Sequence, residues 1–187
     1  MTATDTLTGI PGYIAGTWAI DPVHSEVGFT VRHMMVSKVR GRFNAYSGEI
    51  VTAPDPLDSS VTTEIVLDSI TTGNEQRDAH IRSADFFDVE AHTTMTYRST
   101  GVRRHGDGYV VDGQLTLKGV TRDVPLVLEL NGFGPDAYGG TRAGFTATAE
   151  ISRGDFGINW NAAIEGGGVV VSDKVTIQLE IEAVLKA

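Results

Sequence analysis

The sequence predicts an all-β protein, an extended eight-stranded antiparallel β-barrel with one or two short helical segments. Three observations predict it. Valine outnumbers leucine twenty to ten, a balance that favours pleated, β-branched surfaces over helices. Glycine supplies 22 of the 187 residues, well above its usual share of about 7%. Apolar and polar residues also alternate in long runs, the period-two mark of strands with one buried face.

The first clear run sets Val27, Phe29 and Val31 on one face, with Glu26, Gly28, Thr30 and Arg32 on the other. From His33 to Gly41 the alternation lapses, which predicts one or two helical turns ended by Gly41. Strands follow near 43–52 and 60–68, parted by Ala53-Pro54-Asp55-Pro56. The polar stretch over 72–87 predicts a short helix, with Asn74 as N-cap, Glu75 early and Arg82 late, and Phe86 and Phe87 anchor it to the barrel. Further strands are predicted near 93–103, 109–118, 123–132 and 142–152, divided by turns such as His105-Gly106-Asp107-Gly108 and Gly134-Pro135-Asp136. The last strand, 175–185, sets Val175, Ile177, Leu179, Ile181, Ala183 and Leu185 against Thr176, Gln178, Glu180 and Glu182 and spans roughly 36 Å. No repeat or linker interrupts the pattern, so the chain reads as a short N-terminal extension, 1–16, and one barrel domain, 17–187.

Eight long strands must hide an apolar face and two sheet edges, and a closed up-and-down, lipocalin-like barrel does both. A two-sheet sandwich fits the same alternation. The formal charge of −9, from 24 acidic and 15 basic residues, repels phosphate backbones and anionic lipid surfaces and argues against a nucleic-acid partner. The absence of cysteine excludes disulfides, thiolate metal sites and cysteine nucleophiles. Neither a signal-peptide core nor a run of about 18 apolar residues is present, which predicts a cytoplasmic protein with no integral membrane segment.

Candidate chemistry is sparse. His24, His33 and His92 fall near strand ends, where one barrel mouth would gather them as a metal triad, but their spacing matches no compact metal motif. His80 reads as a surface or helix-anchoring residue and His105 as a loop residue. Ser25 follows His24 directly, and strand neighbours face opposite ways, which disfavours a Ser-His pair. The glycine clusters at 139–140 and 166–168 lack a phosphate-binding pattern.

The apolar face remains. By parity it carries Val27, Phe29, Val31, Phe43, Ile65 and Leu67, then Met95, Tyr97, Leu115, Leu117, Phe145 and Ala147, then Ile177, Leu179 and Ile181. Trp160 joins these as a further lining aromatic. Such a face either packs solid or leaves a tunnel for one apolar chain, with His24, Arg32 and His33 at a rim to meet a headgroup. No cofactor is expected. The alternatives are an enzyme, metal-dependent or lipid-modifying, at the barrel mouth, and a filled barrel that recognises partners or a second copy on its outer face.

Ordered motifs carry a resemblance. They are Trp18-Ala19-Ile20-Asp21-Pro22-Val23-His24-Ser25, Gly41-Arg42-Phe43, Arg77-Asp78-Ala79-His80-Ile81-Arg82-Ser83-Ala84-Asp85-Phe86-Phe87-Asp88, Leu115-Thr116-Leu117-Lys118-Gly119-Val120-Thr121 and Ser152-Arg153-Gly154-Asp155-Phe156-Gly157. Over about residues 17 to 185 the chain resembles the YceI family of polyisoprenoid-binding, lipocalin-like proteins. The resemblance implies an eight-stranded barrel whose pore holds a long isoprenoid chain, such as a prenyl phosphate or a quinone tail. It also implies that the segment around 74–87 packs at the barrel exterior or mouth. Asp21, Arg82, Asp85 and Arg153 are then pairing or capping residues rather than catalysts.

Overall fold

The computed structural model describes residues 8–187. Eight strands run up and down and close on themselves, and four of them are broken once. Strand β1 comprises Gly16–Ile20 and Glu26–His33, β2 comprises Ser37–Phe43 and Tyr46–Thr52, and β3 comprises Ser60–Val66 and Ile70–Thr71. Helix α1, Glu75–Arg82, follows. Then come β4, Thr94–His105; β5, Gly108–Leu117; β6, Val120–Asp123 and Leu126–Pro135; β7, Thr141–Ser152; and β8, Val171–Leu185. Each strand pairs antiparallel with the next, and β8 returns to pair with both halves of β1, through Trp18↔Leu185 and Ile177↔Phe29. Closure removes the sheet edges, which excludes the sandwich.

The alternation places this meander so that one end of the barrel holds the β1–β2 turn, α1, the 118–119 turn and residues 153–170. The other end holds residues 8–15, 53–59, 105–108 and 136–140. At that second end Trp18 is fully buried and its indole N–H donates to Thr52 Oγ1 at 2.8 Å. Tyr13, 3% exposed, donates its hydroxyl proton to the Ala53 carbonyl at 2.6 Å. Residues just before β1 are therefore packed into the barrel end.

Side-chain hydrogen bonds hold the chain at the breaks in β1 and β2. In β1, Asp21 accepts from the Val23 N–H at 2.9 Å and turns the chain. Ser25 repairs the ladder beyond it: its hydroxyl donates to the Glu182 carbonyl at 3.1 Å and accepts from the Glu182 N–H at 2.9 Å. In β2, the N–H groups of Asn44 and Ala45 donate to Ser69 Oγ at 3.1 and 3.0 Å.

Residues 33–41 correct one expectation. They form no helix: His33 pairs with Ser37, Val31 with Val39 and Phe29 with Gly41 across a tight hairpin. Met34 and Met35 turn the chain at φ of 50° and 62°, a conformation usually given to Asn-Gly, so no turn signal marked it. Gly41 is no helix cap, because the Phe29 ring occupies the place a Cβ would take. The second helix forms as expected at its start, where Asn74 Oδ1 accepts from the Arg77 N–H at 2.9 Å. It ends at Arg82, and Phe86 beyond it is buried in the core while Phe87 packs against Phe43.

Candidate functional site

The inward side chains do not fill the barrel. They enclose a cavity of about 700 Å³. Its wall includes Val27, Phe29, Val31, Phe43, Ile65, Met95, Tyr97, Leu115, Leu117, Phe145, Ala147, Ile177, Leu179 and Ile181 from the strands, and Trp160 from the 153–170 segment. Leu67 is not part of the wall: it sits on the single 3₁₀ turn that interrupts β3, fully buried in the surrounding core. Tyr97 brings a hydroxyl inside, and it is satisfied by donating to the Val124 carbonyl at 2.8 Å. Burial pushes its pKa up, so it stays neutral.

The two ends of the tunnel differ. Tyr13, Tyr109 and Phe133 line one end together with Thr52, Ser59 and Ser60, all uncharged. The end beside α1 is lined by Arg32, His33, Arg77, His80 and Arg153, and among the described residues no carboxylate lines the cavity. Arg77 is held by Thr72, donating to its Oγ1 at 2.7 Å and its carbonyl at 2.8 Å. His80 hydrogen-bonds Asp85 at 2.8 Å and stands edge-on to Trp160 and Phe86, with ring centroids 4.7 and 5.1 Å away.

Arg153 is the most enclosed of these side chains at 7% exposed. It donates to four carbonyls, those of Ser172, Ile158 and Trp160 at 2.9 Å and Val171 at 3.2 Å. Its guanidinium carbon lies 6.0 Å from the Phe86 ring centre. Burial draws its pKa below the ordinary arginine value. Arg77, His80 and Arg153 were missed as site residues because strand parity says nothing about a helix or a loop.

His24 lies elsewhere, on the outer surface. It hydrogen-bonds Asp21 at 2.8 Å, and Arg142 holds Asp21 at 2.7 Å, Glu182 at 2.6 Å and Asp136 at 3.1 Å. Arg142 first, then His24, holds the Asp21 carboxyl well below the usual range. The expected headgroup role of His24 has no geometric basis, since it does not reach the tunnel. The histidine triad also fails: among the described residues the group near enough to share an ion is Asp21, His24 and Glu182, and a guanidinium already bridges its carboxylates. His33 is at the α1 end of the tunnel and His92 stands against Gly119.

Residues 18–183 match the YceI-like domain. A UPF0312 protein of Vibrio cholerae is 37% identical over 176 residues, covering 92% of this chain and 89% of its own length. Among solved structures, Burkholderia cenocepacia BcnA superposes with a TM-score of 0.76 at 22% identity, covering 87% of this chain and 98% of that one. A polyisoprenoid-binding domain from Saccharophagus degradans, implicated in plant cell wall breakdown, gives 0.67 at 17% identity, covering 92% and 100%. These two likenesses concern the fold.

Proposed function

The chain belongs to the YceI-like family, and from that premise we propose that its tunnel carries or stores one long apolar chain of the polyisoprenoid class, without catalysis. The observation that supports this most is the tunnel itself, apolar along its walls and cationic at one end only. Each methylene buried from water contributes about 0.8 kcal/mol, so a long chain binds tightly with few polar contacts. The chain lies along the β-strand wall, and its polar head rests at the α1 end near Arg32 and His33, with Arg153 and Arg77 behind them. A phosphate suits this end better than a quinone, because the lining cations there face no carboxylate across the cavity.

The test is solvent extraction of gently purified protein with mass spectrometry of the extract, alongside native mass measurement. Wild-type protein is expected to yield a long isoprenoid near one per barrel. Val31→Asp and Ile177→Lys, which set a charge in the wall, are expected to lose it while retaining a folded β spectrum. A folded wild-type protein that yields nothing and takes up no added prenyl phosphate overturns the reading. So does undiminished lipid in both variants.

A further inference from the structure

The β1–β2 hairpin projects from the cationic end of the tunnel with an apolar tip. Met34, Met35 and Val36 are 42%, 54% and 84% exposed, and Val169 on the neighbouring loop is 38% exposed. The two loops are in contact: the Met34 N–H donates to the Val170 carbonyl at 2.8 Å, and Met35 Cγ lies 3.9 Å from where a Cβ on Gly168 would stand. They form one patch, of the kind that marks an interaction surface.

Behind the tip, the same hairpin carries Lys38, Arg40 and Arg42 on its outward face and Arg32 at the tunnel rim beside them, all exposed. Arg32 and Lys38 stand directly opposite one another, a like-charge pairing that is unfavourable in water. Among the described residues none of the four makes an ion pair. Glu165 is the carboxylate of the neighbouring loop. In a chain of net charge −9, this cluster runs against the overall balance.

We propose that this tip docks on an anionic lipid bilayer. Met34, Met35, Val36 and Val169 enter the interfacial layer, and the four cations meet lipid phosphates, an arrangement that combines apolar burial with electrostatic attraction. Docking this way sets the α1 end of the tunnel against the membrane. Charge selects this occupant over a second copy of the chain, since two tips meeting would bring both sets of cations together. The turn supports it as well, because Met at two positive-φ positions is a poor local choice that an apolar tip explains. The proposal stands apart from what the tunnel holds.

Flotation of the full chain with phosphatidylcholine vesicles, with and without phosphatidylglycerol, tests it. Wild-type protein is expected to float with the anionic vesicles only, and to release as salt screens the attraction. Replacing the tip by M34N/M35G/V36S puts Asn-Gly where the turn prefers it, so the fold is kept, and at least tenfold of the binding is expected to be lost. K38Q/R40Q, at positions outside the tunnel wall, is expected to cost about thirtyfold, from about fivefold per basic residue near an anionic surface, while its folded β spectrum and Tm are kept. Wild-type protein that does not float, or binding unchanged in either variant, overturns the proposal. A doubled mass in lipid-free sedimentation that the tip replacement abolishes overturns it too, in favour of a second copy.

Discussion

Arg153 is a cation that the fold surrounds with carbonyl groups, and Asp21 is a carboxylate that it pairs with Arg142 and His24. The two have opposite consequences. Replacing Arg153 by Leu leaves the carbonyls of Ser172, Ile158, Trp160 and Val171 without their donor, and each buried orphan is costly. A loss of about 2–4 kcal/mol is expected in urea unfolding, with the 153–170 segment loosened first. Asp21 titrates lower in the fold than in the unfolded chain because of Arg142 and His24, so the folded state binds fewer protons. Its stabilisation is complete above the ordinary aspartate value, near pH 4, and disappears as the pH falls through the lowered value. Asp21→Asn is expected to lower the Tm at neutral pH and to flatten the decline of Tm below about pH 4. A variant whose acid limb matches the wild type would show that Asp21 is not the group responsible.

At the scale of elements, α1 is the short helix that borders the tunnel mouth, where it contributes Gln76, Arg77, His80 and Ile81 to the wall. Its start rests on one side-chain cap, so Asn74→Ala is expected to destabilise the helix by about 1 kcal/mol. Hydrogen exchange over 75–82 reads this directly, and faster exchange of a bound chain is expected to accompany it, because α1 borders the mouth. Asn74 was legible in the sequence because an N-cap is a local device. So were the strands, since Val27, Phe29 and Val31, or Ile177, Leu179 and Ile181, announce their face by period alone. The β1–β2 hairpin was not legible, because Met-Met at positive φ carries no turn signature. The breaks in β1, β2 and β3 were hidden for another reason: Ser25 and Ser69 mend the ladder from afar in sequence, over 157 and 25 residues.

For the whole molecule, the proposed function makes stability depend on what the tunnel holds. A chain that binds the folded barrel and not the unfolded one raises the Tm with its concentration, by RT ln(1 + [L]/Kd) in free energy. Delipidated protein is therefore expected to melt lower than protein as purified, and added prenyl phosphate to restore the difference in calorimetry. The sequence reached the wall of that tunnel and, at its charged end, Arg32 and His33, but not Arg77, His80 and Arg153, which come together from a helix and a loop that only the closed barrel brings side by side. Net charge was equally blind to where the cations sit.

The pairing of β1 with β8 has a consequence for how the protein is made. Trp18 meets Leu185 and Ala19 meets Val184, so the seam joins strands far apart in the sequence. Contacts of such separation form late and slow folding. During synthesis the nascent sheet remains an open trough until β8 leaves the ribosome, and its apolar face stays available to chaperones or to a greasy molecule until that strand docks. Because β1 and β8 are neighbours, a linker joining the segment before β1 to the segment after β8, with the chain opened in an exposed turn such as 106–107, is expected to yield a circular permutant that folds to the same barrel.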